Sequence, residues 1–308
     1  MGESGVALAL VLWLIVALGA VAAAVAGSTR STTGVVLNVR ARSVARYAAE
    51  SGIVAGKALL QQRLASAYTP SQRVLAFTAA NREFAQLHEV PLGNARFGVI
   101  LTNLSGQLDL NQAEPEVLVG LFSQFTSSSS ARGAVDALQD WRDADDLVRP
   151  QGAEREAYVR AGSAYLPPNS PFTRLDELSR VWGVGEALAL AVAPYLTVNG
   201  DLLIDVNGAS ETVLAAVPGI GPAGARTLVS HRGRGRAFTS VSEVQELLGR
   251  EGNRTGAASI PALVIAPTRV LLVSRGWMPG NPLTHEIEAA YAIVGQRLRL
   301  QSWRERDL

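Results

Sequence analysis

The hydrophobic pattern of the chain begins with an unbroken apolar run at residues 6–26, directly after the short leader 1–5. A helix rises about 1.5 Å per residue, so this uncharged run is long enough to cross the roughly 30 Å hydrocarbon core of a bilayer. The pattern therefore predicts a transmembrane helix. A cleaved secretory signal ending at Ala24 or Ala26 is the alternative, but the leader lacks the basic residue typical of such signals.

Small and apolar residues continue beyond this run, and no proline occurs before Pro70. The pattern predicts one long helix over residues 6–66, whose second half leaves the membrane. Ala48, Gly52 and Ala55 recur there at spacings of three and four. Such a narrow stripe of small residues is one that a β-sheet can cover.

Segments typical of β-strands lie on both sides of a helical middle. They are residues 96–102, 262–266, 269–274, 286–294 and 296–303, the last two forming a hairpin around Gly295. Strands before and after the helical part predict an α+β fold, in which residues 67–107 and 262–308 form one domain. Residues 108–261 then form an all-α domain inserted into it.

The helical middle contains an internal repeat. The sequence LDLNQAEPEVL at 108–118 is echoed by IDVNGASETVL at 204–214, and FTRLDEL at 172–178 is echoed by FTSVSEV at 238–244. Two echoes in the same order predict a duplicated helical unit, with copies at about 108–200 and 204–250.

Polar residues at matching positions of the two copies predict helix starts. Asn111 and Asn207 are expected to cap the helix that follows each of them. Thr173 and Thr239 stand before a second apolar-periodic run and predict another capped helix in each copy. The simplest interpretation of all four residues is that they fold helices.

The second copy also contains the segment VPGIG at 217–221, which resembles a helix-hairpin-helix turn. Gly219 and Gly221 permit a tight turn, and with Arg226 and Arg232 this segment could hold a nucleic-acid backbone. The matching part of the first copy reads Gly120-Leu-Phe-Ser and lacks the hairpin. A lone hairpin is more typical of a packing or protein-contact turn, so nucleic-acid binding is only the alternative function.

A cluster of carboxylates interrupts the first copy at Asp140, Asp143, Asp145 and Asp146. Carboxylates this close repel one another unless a cation lies between them, and ligands that are all oxygen suit calcium. Salt bridges to the neighbouring Arg142, Arg149 and Arg155 are the alternative. The spacing is not that of an EF-hand.

Composition narrows the function further. The chain of 308 residues has a formal net charge of +1 and 18% charged residues, which argues against a protein devoted to polyanions. It contains no cysteine, which excludes disulfides and thiol catalysis. The three histidines are scattered, and no nucleophile elbow, phosphate-binding loop or dinucleotide fingerprint occurs, so we do not expect an enzyme.

These features together resemble a known family. Gly5 followed at once by an apolar helix, the segment RSVARYAAESG at 42–52 and the modules described above resemble general secretion pathway protein K, the large minor pseudopilin of type II secretion. The resemblance implies an amino-terminal helix packed on a pilin-like antiparallel sheet. It also implies an inserted all-α domain with two helix-hairpin-helix or SAM-like repeats.

The resemblance further implies processing, cofactor and partners. A prepilin peptidase would cleave after Gly5, and Val6 would become the methylated amino terminus. Most pilin-like proteins carry Glu at the fifth mature position, but this chain, like the K-type members, does not, because Leu10 stands there. The resemblance implies calcium bound by the acidic cluster together with Glu154. It implies assembly with minor pseudopilins of types I and J and with the inner-membrane secretion machinery.

The implied location is the inner membrane, with a single span and the globular part in the periplasm. Arg30, Arg40, Arg42 and Arg46 follow the span, and the positive-inside rule alone would place the globular part in the cytoplasm. The strongest alternative is a membrane-anchored helix-hairpin-helix protein for DNA binding and uptake. That class is expected to have a polar linker after the span and to end soon after the hairpin unit, and neither holds here.

Overall fold

The computed structural model describes residues 3–250 and 263–308, without the side chains of residues 3–10, 24–37 and 250. The helices are α1 Glu3–Leu64, α2 Pro70–Phe84, α3 Pro115–Phe122, α4 Ser128–Arg142, α5 Arg155–Arg160, α6 Gly185–Val192, α7 Glu211–Ala216, α8 Gly221–Gly233 and α9 Val241–Arg250. The strands are β1 Val90–Leu92, β2 Ala95–Asn103, β3 Leu108–Asp109, β4 Leu196–Thr197, β5 Ile204–Asp205, β6 Leu263–Val264, β7 Arg269–Trp277, β8 Thr284–Val294 and β9 Arg297–Asp307.

Helix α1 continues without interruption from Glu3 to Leu64, as its lack of proline predicts. Within the parts of the chain that the structure describes, we find no helix that is both long and apolar enough for a membrane crossing. The predicted span 6–26 lies in part on residues whose side chains are not described, as do Gly5, Val6 and Leu10.

The carboxyl-terminal half of α1 packs on an antiparallel sheet with strand order β1-β2-β7-β8-β9. Small residues at the contact, including the buried Ala45 and Ala49, bring the helix very close to the strands. Gly276 on β7 lies so close that a β-carbon there would overlap the backbone atoms Ala45 O and Ala49 N. The stripe of small residues read from the sequence is therefore the surface that the sheet covers.

Helix α2 returns from the end of α1 and closes one side of this core. Thr69 caps it: the hydroxyl accepts a hydrogen bond from Gln72 N at 3.2 Å, and Thr69 N donates to Gln72 Oε1 at 3.0 Å, which is a capping box. Phe77 and Phe84 on its inner face are buried with α1 and the sheet.

Along the chain, the helical segments lie between β2 and β7, which are neighbours in the sheet. They form a second hydrophobic core. Two short parallel ladders organise this part. Strand β3 pairs with β4, which joins Leu108 to Leu196, and strand β5 pairs with β6, which joins Ile204 to Leu263. Each ladder therefore brings together the first and last residues of one helical segment. The first helical segment is residues 108–197, and the second is residues 204–264.

The two helical segments make the same long-range contacts. In the first, Asn111 Nδ2 donates to Phe172 O at 2.9 Å and Phe172 N donates to Asn111 Oδ1 at 2.8 Å. In the second, Asn207 Nδ2 donates to Phe238 O at 2.9 Å and Phe238 N donates to Asn207 Oδ1 at 2.9 Å. Arg142 likewise donates to Leu110 O, as Arg232 does to Val206 O.

These contacts correct the predicted role of the two asparagines. Neither Asn111 nor Asn207 caps the next helix, because each side chain is occupied by the distant phenylalanine backbone. Asp205 Oδ1 accepts from Asn207 N at 3.0 Å and so turns the chain, and Ser210 caps α7 by accepting from Val213 N at 3.1 Å. A helix begins after each of Thr173 and Thr239, as predicted, but neither threonine caps it. Thr173 N donates to Glu177 Oε1 and Thr239 N donates to Glu243 Oε2, both at 3.0 Å, while Ser240 caps α9 by accepting from Glu243 N at 3.2 Å.

Candidate functional site

The acidic cluster predicted from the sequence lies at the end of α4 and in the loop that follows. Asp140 is fully buried, and its Oδ1 accepts from Arg149 Nη1 at 2.9 Å. The same guanidinium nitrogen bonds Asp143 Oδ2. One arginine therefore partly neutralises the two innermost carboxylates, as the salt-bridge alternative predicts.

Glu154 lies beside this pair without a cationic partner. Its side chain is 7% exposed, and among the described residues neither of its carboxylate oxygens has a hydrogen-bond partner. Burial, together with the negative charges of Asp140, Asp143 and Asp146, raises the pKa of Glu154 to about 7. Asp143 Oδ1 is also buried and has no hydrogen-bond partner within the described part of the chain.

The two outer aspartates line the exposed rim of the loop. Asp145 Oδ1 accepts from Leu147 N at 2.9 Å, and Asp146 Oδ1 accepts from Asn169 Nδ2 at 2.9 Å. In the residues that the structure describes, no three histidine or acidic side chains are arranged to hold a metal ion. Asp140 and Asp143 thus share Arg149, Glu154 is near enough for their charges to raise its pKa, and Asp145 and Asp146 lie at the rim.

Backbone and aromatic contacts fix the position of this loop. A β-carbon at Gly152 would overlap the carboxylate of Asp140, so the chain can pass so close only without a side chain there. Tyr158 on α5 accepts a hydrogen bond from Trp182 N at 2.7 Å and lies 5.8 Å from Trp141, between ring centroids. The acidic loop is therefore joined to the segment that precedes α6.

That segment contains a second glycine hairpin, which reasoning from sequence missed. Gly183 and Gly185 have φ values of 75° and 66°, and Gly219 and Gly221 have values of 85° and 62°. Val184 N donates to Val181 O at 3.1 Å, as Ile220 N does to Val217 O. The segments VWGVG at 181–185 and VPGIG at 217–221 carry the signal, since both place glycine at the same two positions.

The second hairpin does not lie at the position of the first copy that matches residues 217–221. The link between α3 and α4, which corresponds in the duplicated contacts to the link between α7 and α8, has no glycine at residues 123–127. The first copy therefore lacks the hairpin at the matching position, as expected, but has one later, between the 3-10 helix Leu175–Arg180 and α6.

The two arginines considered for nucleic-acid contact differ in their surroundings. Arg226 on α8 is exposed. Arg232 is half-buried and donates through Nη1 to Val206 O at 2.6 Å. Burial lowers the pKa of Arg232, although the nearby Asp205 carboxylate opposes this. Arg232 is therefore a structural residue, while Arg226 is available to a partner.

Comparisons with known proteins cover the middle of the chain and the fold as a whole. Residues 99–201 match the family model described as type II secretion system protein K, and residues 200–249 match a helix-hairpin-helix motif. The chain is 35% identical over 130 residues to type II secretion system protein K of Pseudomonas aeruginosa, covering 42% of this chain and 38% of that protein. It is 31% identical over 141 residues to type II secretion system protein K of Klebsiella pneumoniae, covering 44% and 43%.

The matched region thus spans only about two fifths of the length of these curated relatives. A chain of the crystal structure of the GspK-GspI-GspJ complex of the enterotoxigenic Escherichia coli type 2 secretion system shares the fold, with a TM-score of 0.64 and 14% identity. That match covers 90% of this chain and 99% of the other. The resemblance that the sequence indicated is confirmed.

Proposed function

We propose that this chain, which resembles type II secretion system protein K, is a minor pseudopilin at the tip of the pseudopilus and works by assembly rather than by catalysis. The observation that carries the proposal is the docking of a long, small-residue helix on an antiparallel sheet, with a bulky helical module inserted between two sheet strands. The module would block the addition of a further subunit above it.

The amino-terminal part of α1 supports membrane anchoring. Residues 11–23 are all exposed and include Leu12, Trp13 and Ile15, so the helix is apolar on every side there. A helix that is apolar all round needs an apolar environment. We propose a single span at residues 6–26 in the inner membrane, with the globular part in the periplasm.

Processing of the leader fits the same function. A prepilin peptidase would cleave after Gly5 and leave Val6 as a methylated amino terminus. Leu10 offers no carboxylate to the amine of a neighbouring subunit, which suits a subunit that is added first or placed last in the stack.

The partners we propose are the minor pseudopilins of types I and J. Val39, Tyr47 and Val54 are exposed along α1, at spacings of eight and seven residues, on a face of the helix that the sheet does not cover. These side chains offer a partner helix an apolar contact line outside the membrane.

Co-purification of the full chain with the two partners tests this contact. Tyr47→Arg is expected to remove the partners from the complex, because it places a charge in the contact line. Tyr68→Arg is the matched control, since Tyr68 is also exposed but follows the end of α1. Equal co-purification of the two variants would contradict the proposed assembly.

We also propose that the acidic cluster holds calcium. Asp143 and Glu154 have buried oxygens without hydrogen-bond partners in the described residues, and every available donor is an oxygen, which fits this ion. Asp140, Asp143 and Glu154 would hold it, with Asp145 and Asp146 at the rim, and their side chains would have to move closer together, because no three acidic groups of the described residues are already in a metal-binding arrangement. Bound calcium would supply the positive charge that Glu154 lacks and would tie the loop to α4.

Calorimetry on the full chain in detergent tests the calcium proposal. Calcium is expected to release heat and to raise the melting temperature, and Glu154→Gln is expected to weaken both effects. Glu156→Gln is the control, because Glu156 is exposed on α5. The absence of heat, with no change in melting temperature on chelation, would overturn the proposal.

A second candidate function is nucleic-acid binding, and the second glycine hairpin favours it. Gly183 and Gly185 repeat the backbone of Gly219 and Gly221, so the hairpin at 217–221 no longer stands alone. A filter-binding titration with duplex DNA tests this function. Salt-sensitive binding in the micromolar range would support it, and unchanged filter retention at all DNA concentrations would exclude it.

A further inference from the structure

Residues 233–237, with the sequence GRGRA, are exposed and lead from the last residue of α8 toward α9; they are here called the basic loop. Both of its ends are anchored. Arg232, just before it, donates to Val206 O at 2.6 Å, and Phe238, just after it, donates through its backbone N to Asn207 Oδ1 at 2.9 Å. The loop is therefore short and is held at a fixed place on the second helical segment.

The arginines of the basic loop are available to a partner. Arg234 and Arg236 are exposed, as is Arg226, which lies on α8 about two turns before the loop. Within the described residues, none of these three guanidinium groups makes a hydrogen bond or an ion pair. A guanidinium presents a planar set of donors that matches a carboxylate, so the three form a local set of unused anion-binding groups.

The equivalent place in the first helical segment has the opposite charge. There Arg142 and Phe172 make the anchoring contacts, and the residues between them, 143–171, begin with the acidic cluster. The same anchors thus support an acidic loop in one segment and a basic loop in the other. Binding residues often lie on loops that a rigid framework positions, and the basic loop is positioned in this way.

The basic loop lies near the end of α1 that is far from the amino terminus. Thr239, two residues after the loop, accepts a hydrogen bond through its backbone O from Ser71 Oγ at 3.1 Å. Ser71 lies at the start of α2, just beyond the end of α1 at Leu64. A helix of 62 residues is about 93 Å long, so on the proposed function the loop faces away from the membrane.

We propose that the basic loop and Arg226 form a docking surface for an acidic polypeptide segment that this protein meets at its membrane-distal end. Residues 226–237 contain no Phe, Tyr or Trp on which nucleic-acid bases could stack. The glycine hairpin at 217–221 lies at the opposite end of α8 from the basic loop, about 18 Å away at 1.5 Å per residue. Arg234 and Arg236 therefore do not share one phosphate-binding site with the hairpin, and only Arg226 lies between the two.

Fluorescence anisotropy with a labelled poly-glutamate peptide of about 15 residues tests the docking surface on the full chain in neutral detergent. The triple variant Arg226→Gln, Arg234→Gln, Arg236→Gln removes the surface. The matched control is Arg82→Gln, Arg297→Gln, Arg299→Gln, which removes the same charge from three other exposed arginines. Near-unchanged melting temperatures of both variants establish that each is folded.

We expect the native chain to bind the peptide with an affinity that falls as salt rises, because screening weakens contacts between exposed charges. The docking variant should bind about tenfold more weakly, since three exposed ion pairs, each weak by itself, are lost together. The control variant should stay within about twofold. Equal losses in the two variants, or no peptide binding by the native chain, would overturn the proposal.

Two further probes decide the chemical class of the partner. A single-stranded oligonucleotide of the same charge, or vesicles of anionic phospholipid, would overturn the proposal if either bound through these arginines more tightly than the peptide. Peptide binding does not depend on assembly with other pseudopilins. Failure here therefore leaves the co-purification result intact, and failure of co-purification leaves the peptide result intact.

Discussion

Asn207 and Phe238 hold each other through two hydrogen bonds across 31 residues of chain, and the same asparagine also donates to Ile265 O at 2.8 Å. One side chain thus joins the start of the second helical segment, the residues just before α9 and the segment that leads back to the sheet. Asn111 and Phe172 repeat the exchange in the first segment.

Replacing Asn207 by Ala is expected to lower the free energy of unfolding by about 2–4 kcal/mol. The change leaves Phe238 N, Phe238 O and Ile265 O without this partner, and each buried group left unsatisfied costs about 1–3 kcal/mol. Denaturant unfolding followed by tryptophan fluorescence measures the loss. Asn94→Ala, at an exposed turn, should change stability by less than about 0.5 kcal/mol, and equal losses would refute the assigned role.

Gly276→Ala is expected to loosen the contact between α1 and the sheet. The added methyl group would overlap the α1 backbone at Ala45 and Ala49, so helix and strand must separate, at a cost of about 1–3 kcal/mol or more. Thermal unfolding measures this cost. Gly233→Ala is the control, because nothing lies within 4 Å of a β-carbon there. A normal melting temperature for Gly276→Ala would show that the helix does not pack so closely.

The free energy of unfolding of the cation-free protein should decrease as pH rises, because of Glu154. Its pKa is raised from 4.5 in the unfolded chain to about 7 in the folded protein. The protonated form is thus favoured by folding, and its stabilising contribution is complete below about pH 4.5 and lost as pH rises through 7. Glu154→Gln removes this dependence and should gain about 2–3 kcal/mol over the native chain between pH 5 and 8.

Chemical denaturation in the presence of a chelator at several pH values measures this difference. Glu156→Gln should follow the native curve, because Glu156 is exposed. Parallel curves for Glu154→Gln and the native chain would show that the charge of Glu154 is already compensated. With calcium at pH 8, the native chain should gain stability and Glu154→Gln should gain less.

Cleavage of the leader should depend on Gly5 and not on Gly2. In cells that contain a prepilin peptidase, mass spectrometry of the native chain is expected to find an amino terminus at methylated Val6. Gly5→Leu should leave the leader in place, whereas Gly2→Leu should be processed normally. A native amino terminus at Met1, or a cut after Ala24 or Ala26, would remove the proposed mechanism.

Local signals in the sequence predicted much of the fold. The stripe at Ala48 and Gly52 marked the contact with the sheet, and alternation around Gly295 marked the hairpin of β8 and β9. The pairing of Asn207 with Phe238 could not be predicted from the sequence. A local helix cap would satisfy the side-chain oxygen of Asn207 equally well, and the sequence does not distinguish the two. Only the tertiary structure shows that the asparagine bonds across 31 residues instead.

At the candidate sites too, the sequence predicted local features and did not predict the tertiary contacts. The spacing of Asp140 and Asp143 predicted a concentration of charge, but not that Arg149 would be shared between them. Nor did it show that Glu154 would be buried without a partner. The hairpin at Gly183 and Gly185 has the same Gly-x-Gly pattern as the one at residues 217–221. It was not predicted because it lies later in the first copy than the position that matches residues 217–221.

The pairing of β2 with β7 determines which parts of the molecule carry tension. Asn103 at the end of β2 lies opposite Val270 near the start of β7, so residues 104–268 leave and re-enter the sheet at neighbouring points. A pull applied through α1 is therefore expected to pass mainly between β2 and β7, through their backbone hydrogen bonds, and to load the helical segments less. The helical segments would then move with the sheet and keep most of their own contacts while α1 is under load.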